Sequence, residues 1–203
     1  MGLMSTFVKP NNGTAHPKQE QVLSAAAGCF VRYGYRRTTM SDIAVAAEVS
    51  RAALYLMYSS KEDVFRAVVT RLFATMLAEI SEGMDAQAEP VEQLRFVFEV
   101  WCVRPFKAVQ DAPDAADLFD NSRRLAADAW TKAEADFEAI ITDILDRVIQ
   151  GQHESGLSPA QVGRVLATAV PGFKESARSV AELQGQISDL IDLVLSGLRA
   201  RAA

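Results

Sequence analysis

The chain has 203 residues, 49% of them apolar, with only seven prolines and eleven glycines, enough to bury the cores of one small and one larger helical domain. Its net charge of -5 is uneven: residues 1–80 hold nine Lys or Arg against six Asp or Glu (+3), and residues 81–203 hold twelve against twenty (-8). The basic part suits a polyanion and the acidic remainder should face away from one, while the lack of any apolar run near the roughly 20 residues of a membrane span excludes a membrane-crossing helix.

Residues 1–16, MGLMSTFVKPNNGTAH, are too short and polar for a signal peptide, and a flexible arm in a cytoplasmic protein is expected. The stretch AAAGCFVRYGYRR follows, with Arg36 and Arg37 placed for phosphates or a groove edge. Thr39 and Asp42 form a capping box, so a helix should begin at about Met40, with Ile43, Ala44 and Ala47 as a narrow inward stripe. Glu48 and Val49 make a turn. Ser50 caps a second short helix, about Arg51 to Tyr58, in which Leu54 returns to the core. Little else in that helix needs burial, so Ser50, Arg51, Ala52 and Ala53 are available to base edges in a major groove. Tyr55 and Tyr58 are either core aromatics or phosphate donors. Ser60 with Asp63 is a second capping box, and Lys61 puts a cation at a helix start whose dipole favours anions, which a bound phosphate would resolve.

These residues resemble the DNA-binding domain of the TetR (tetracycline repressor-like) family of transcriptional regulators. The likeness rests on Thr38-Thr39, Ile43-Ala44, Val49-Ser50, Leu54-Tyr55 and Ser60-Lys61, together with the upstream AAAGCFVRYGYRRTT, and covers about the first 80 residues. Three positions depart from the family pattern: Glu48 replaces a usual glycine, which implies a left-handed conformation at some cost in strain, Ala52 replaces a common glycine, and Met57 a histidine that often touches phosphate. No phosphate role is carried onto Met57, and Tyr58, at a position usually held by phenylalanine, is assigned to packing.

Beyond Lys61 the chain reads as successive helices. Val64, Phe65, Val68, Val69, Leu72, Phe73 and Met76 keep one helical period and should connect the two domains. Val91 to Val103 is bulky and apolar around its circumference, with Pro105 expected to end or kink it. A short helix is expected around Pro113, and a longer one from about Arg123 to Gln150. GQHESGLSP is a loop. An apolar helix from Ser158 to about Ser179 carries Pro171-Gly172. The last helix presents Leu183, Ile187, Leu190, Ile191, Val194, Leu195 and Leu198, a stripe that either packs within the chain or meets a second copy. The resemblance implies the second: a homodimer through its two C-terminal helices.

The expected protein is therefore all-α, with an arm over 1–16, a helix-turn-helix DNA-binding domain over 17–77 and a helical ligand-binding and dimerisation domain over 78–203. Expected phosphate contacts are Thr39, Tyr55 and Lys61, and expected groove contacts are Ser50, Arg51, Ala52 and Ala53, on a double-stranded, palindromic DNA operator. Phe98, Trp101, Trp130 and Phe173 are expected to converge on a pocket for a small apolar or aromatic effector that releases a repressor from that operator. His16 and His153 stand far apart, and Cys29 and Cys102 lack metal-ligand spacing, so neither a metal nor a cofactor is expected. No nucleophile-and-base constellation suggests an enzyme. A helical ligand-binding or interaction module that has lost DNA binding is the other reading.

Overall fold

The computed structural model describes residues 17–110, 116–149 and 157–200, and among these every regular element is helical. In chain order they are α1 (Pro17–Arg37), α2 (Met40–Ala46), α3 (Arg51–Met57), α4 (Lys61–Gly83), α5 (Pro90–Phe98), a π-helical turn (Glu99–Val103), α6 (Arg104–Gln110), α7 (Ala116–Leu125), α8 (Ala127–Ile149), α9 (Pro159–Ser176) and α10 (Val180–Ala200). The arm over 1–16 with His16, the stretch around Pro113 and most of the GQHESGLSP loop with His153 lie outside the described residues.

The chain divides into two compact units. The first takes residues up to Thr75 together with Ala108–Ala133, and the second takes Met76–Lys107 and Glu134 onward. Helix α4 is continuous through the boundary at Thr75, as its unbroken apolar period requires.

In the first unit α1 buries Val22, Leu23, Ala26, Ala27 and Phe30, a stripe at helical spacing that packs on α2 and α7. Phe30 meets Phe65 edge to face at 5.0 Å, and Tyr35 meets Phe65 at 4.7 Å. Glu20 and Arg71 form a largely buried ion pair at 2.9 Å. Tyr58 is half-buried, and burial raises its phenol pKa, with Glu20 adding to the rise and Arg71 opposing it. That placement agrees with packing for this ring.

In the second unit α10 lies against α5, the π-helical turn and α9. Helix α8 contributes Phe137, Ile141, Ile144 and Leu145, all buried. A Cβ at Gly163 on α9 would come within 3.0 Å of the Thr142 hydroxyl, so glycine is what lets α9 approach α8. Buried Gln93 is satisfied on both sides: its amide donates to Asp85 O at 2.7 Å and its carbonyl accepts from Arg147 at 2.6 Å.

Several sequence expectations change. The chain does not leave the helix at Pro105. It stays helical from α5 into α6 because the π-helical turn widens the coil immediately before Pro105, which has no N–H to donate back. Burial on all sides holds for Val100–Val103 alone, whereas α5 itself is amphipathic, with Glu92 and Arg95 outside. The helix expected from Arg123 to Gln150 is two helices broken at Ala126, where the Leu125 carbonyl accepts from the Arg66 guanidinium at 3.1 Å instead of propagating the helix. On α10 the stripe turns inward: Leu183, Ile187, Ile191, Leu195 and Leu198 are buried in their own chain.

The turn between α2 and α3 closes as the resemblance implies, with Glu48 at φ 53 and Val49 N donating to Ala44 O at 3.0 Å. A left-handed non-glycine residue costs about 1–2 kcal/mol and glycine's greater unfolded-state freedom about 0.5–1 kcal/mol. Glu48→Gly is therefore expected to stabilise the fold by about 0.5–1 kcal/mol, read as a higher denaturant midpoint at unchanged slope. A lower midpoint would show that the Glu48 side chain contributes more than its backbone costs.

Candidate nucleic-acid interface

The reading element is built from local hydrogen bonds outward. Gly34, at φ 74, ends the regular part of α1, and the buried Thr38 hydroxyl donates to Gly34 O at 2.8 Å, closing the elbow that leads to α2. Thr39 then caps α2. Its Oγ1 accepts from Asp42 N at 3.2 Å, its own hydroxyl donates to the Asp42 carboxylate at 2.7 Å, and its backbone N–H donates to the same carboxylate at 2.8 Å. These bonds from Thr39 hold the Asp42 carboxyl below the ordinary range. Ile43, Ala44 and Ala47 face inward as expected, and the Gln21 amide donates to Ala47 O at 2.9 Å at the end of the helix.

Ser50 caps α3, with its Oγ accepting from Ala53 N at 3.1 Å. Only Leu54 of α3 is buried. Arg51, Ala52, Tyr55 and Leu56 are exposed and Ala53 is half-exposed, so the residues expected to meet a groove share one accessible helix end. Leu56 was missed. It is 89% exposed, and its position was readable, because two residues beyond an inward Leu54 is about 200° around a helix. Val45 on α2 is likewise apolar and exposed.

The cation at Lys61 has partners inside the protein. Its ammonium donates to Tyr35 O at 2.8 Å and Arg36 O at 3.3 Å, at the C-terminal end of α1, and lies 4.4 Å from the Tyr35 ring centroid. Burial lowers its pKa, and Asp117 opposes that shift. The inference of a phosphate from an unmatched charge therefore falls away, although an ammonium carries three donors. At the same helix start Ser60 Oγ accepts from Asp63 N at 3.1 Å, and the Asp63 carboxylate takes the Ser59 hydroxyl. Bonds from Ser59 and then Ser60 hold Asp63 below the ordinary carboxylate range.

Of the four aromatic residues expected in an effector pocket, three belong to the second unit and one to the first. In the second unit Phe98 and Trp101 both pack on Phe137, edge to face at 5.4 Å and stacked at 4.6 Å. Phe173, on α9, is half-buried. Trp130 belongs to the first unit, 4.7 Å from the Phe73 ring, with the Arg123 guanidinium 4.5 Å over its face and its indole N–H donating to Ser122 at 3.1 Å. The Cys102 thiol, next in sequence to Trp101, is pushed up to about 11 by burial. Both cysteines are buried and unpaired. A groove of about 600 Å³ runs between α5, the π-helical turn and α10, lined by Arg95, Phe96, Glu99, Gln184 and Ile187 among others. Among the described residues no group of three or more His, Cys, Asp or Glu could hold a metal, and no helix is long and apolar enough to cross a membrane.

The family described as "Bacterial regulatory proteins, tetR family" matches residues 22–68. A Bacillus subtilis protein, "Uncharacterized HTH-type transcriptional regulator YhgD", is 32% identical over 73 residues, 36% of each chain. The Mycobacterium tuberculosis "HTH-type transcriptional repressor KstR2" is 27% identical over 116 residues, 57% of this chain and 56% of that one. These alignments thus span between about a third and just over half of the curated relatives' length. A solved transcriptional regulator from Cytophaga hutchinsonii superposes with a TM-score of 0.75 at 18% identity, covering 90% of this chain and 98% of that one. Residues 22–68 thus match the TetR family of bacterial regulatory proteins, and the fold has an N-terminal helix-turn-helix domain and a C-terminal helical domain.

The lowered carboxyls predict an acid response. A group whose folded pKa is depressed contributes stability above its unfolded value and loses it as pH falls through the folded one. The contributions of Asp42 and Asp63 are thus fully present above pH of about 4 and disappear at lower pH. Asp42→Asn should remove part of that acid-dependent loss, seen by comparing denaturant midpoints at neutral pH and near pH 3. Equal losses in variant and parent would contradict the capping box.

Proposed function

We propose that this chain is a sequence-specific DNA-binding transcriptional regulator, a repressor, acting as a homodimer on a palindromic operator. The observation that carries the reading is α3 itself: a capped helix that buries only Leu54 and leaves Arg51, Ala52, Tyr55 and Leu56 outside. A helix with so little of its surface in the core is stabilised by what surrounds it and is free to enter a major groove. Arg51 and Ala52 meet base edges, with Ala53 at the groove wall. Ser50 uses its oxygen as a cap and retains its hydroxyl proton for an acceptor on the DNA. Leu56 offers an apolar surface to thymine methyl groups. Tyr55 gives its phenol to a phosphate oxygen. Thr39 meets the backbone at the start of α2, where a phosphate competes with Asp42 for its hydroxyl proton, and Lys61 has one ammonium proton beyond the two held by α1. A basic 1–80 segment of +3, nine cations against six anions, supports contact with a polyanion.

Dimerisation is assigned to the outward faces of α9 and α10. Val165 and Leu193 are 54% and 72% exposed, and Gly172, Gly185 and Gly197 have open space around them, so a second backbone can approach closely. Two reading helices then face half-sites about 34 Å or more apart. The effector, a small apolar or aromatic molecule, enters beside the Phe98, Trp101 and Phe137 cluster in the second unit, with Phe173 a further contact. Support comes from the π-helical turn that carries Trp101, since such turns occur frequently at functional sites. Trp130, held by Phe73 and Arg123, is a poorer candidate. The protein is cytoplasmic and performs no catalysis.

Selection of bound fragments from a random duplex pool at physiological salt tests this directly. A palindromic winner, bound by a dimer and released by a ligand, is expected. Absence of enrichment would favour a helical interaction module that has lost DNA binding. On the selected site, Arg51→Ala should cost about 1–3 kcal/mol at one base position and relax preference there. A uniform loss across sequences would reassign Arg51 to a phosphate.

A further inference from the structure

The peptide units that join α1 to the reading helices are held from two sides by residues distant in sequence. Asp117, in the first turn of α7, accepts from the backbone N–H of Tyr35 at 3.2 Å and of Arg36 at 3.4 Å. Lys61, at the start of α4, takes the carbonyls of the same two residues at 2.8 Å and 3.3 Å. This short segment directly follows Gly34, the positive-φ residue at which α1 loses regular geometry, and directly precedes Thr38 and Thr39, which close the elbow and cap α2. Its orientation therefore sets where α2, and through the Glu48 turn α3, point from α1. The other end of α7 is also tied: the Leu125 carbonyl accepts from Arg66 on α4, in the turn after the one that holds Lys61. Helix α7 thus runs as a strut between the elbow and α4, all within the first unit.

We propose that Asp117 is a positioning residue for DNA reading: its carboxylate, opposed by the Lys61 ammonium, clamps the Tyr35-Arg36 peptide units and fixes the angle at which α3 meets the groove. This rests on the reading of the chain as a DNA-binding regulator. The clamp is made of charge-assisted hydrogen bonds to backbone, so it constrains direction as well as distance. Asp117 itself is not a DNA contact, and as an anion in the same compact unit as the reading helices it works against binding to a polyanion. Simple electrostatics therefore predicts that neutralising it tightens every DNA complex. The clamp predicts the opposite for the cognate site.

Asp117→Asn, Asp117→Ala and Asp117→Glu are compared with the parent protein by hydrogen exchange at residues 31–39 and by titration of the selected operator and a scrambled duplex at one salt concentration. For the Asn and Ala variants, exchange at Tyr35 and Arg36 should rise about tenfold and operator affinity fall about tenfold, the size expected for losing a charge-assisted bond. Scrambled-duplex affinity should hold or rise, and Asp117→Glu should recover part of both effects. Unchanged exchange, unchanged or tighter operator binding, or an equal loss on both duplexes would each overturn the proposal, the last indicating general unfolding. If the parent protein selects no site, the DNA-reading proposal falls and this one with it. The exchange measurement then still reports whether the clamp exists.

Discussion

A helix that buries one side chain cannot hold its own position, and that constraint governs the first unit. Leu54 anchors α3, but a single aliphatic contact permits rotation about the helix axis. Orientation is supplied by hydrogen bonds around it: Ser50 on Ala53 N at its start, Val49 N on Ala44 O in the turn, and Tyr58 N on Leu54 O at its end. Upstream, the Thr39–Asp42 box and the Thr38 hydroxyl fix α2, and the Lys61 ammonium fixes the end of α1. Directional polar bonds therefore do at the surface what packing does in a core, which leaves the outward face of α3 free of structural duties.

The second unit is organised differently. Its centre is hydrophobic, with Phe98 and Trp101 both packed on Phe137 and Leu94, Ile141, Ile144, Leu166 and Ile191 fully buried. The π-helical turn at Glu99–Val103 lies inside this packing, and four successive buried residues, Val100 to Val103, are the consequence. A regular helix would have pointed one or more of them to solvent. The outer surface is tied by ion pairs such as Arg95 with Asp192, at 3.1 Å to both carboxylate oxygens, and such exposed pairs contribute direction more than stability.

Much of the reading element was legible because its signals act within four residues. The two caps, and Ile43, Ala44, Ala47 and Leu54 facing inward, all follow from local hydrogen bonding and helical period, while the left-handed geometry of Glu48 was implied by the glycine the family usually has there. The internal partners of Lys61 were hidden for the opposite reason. Its local environment, a helix N-terminus, suggested an absent anion, while its partners are carbonyls 26 and 25 residues earlier. The break at Ala126 was hidden in the same way, since Arg66, which takes the Leu125 carbonyl, lies 59 residues away. The aromatic residues of the helical domain formed one group by composition, yet Trp130 went to Phe73 in the first unit and Phe98 and Trp101 to Phe137 in the second.

By itself, then, the amino-acid sequence determined the all-helical class, the caps and turn of the helix-turn-helix, and the outward end of its second helix. Each depends on interactions between a residue and its neighbours three or four positions away. Tertiary structure alone decided which carbonyls the Lys61 ammonium would take, that Asp117 would reach the elbow from 82 and 81 residues downstream, and that the α10 stripe would be covered by its own chain. Charge and apolar surface specify that a partner is needed. Only the path of the backbone specifies which one comes within reach.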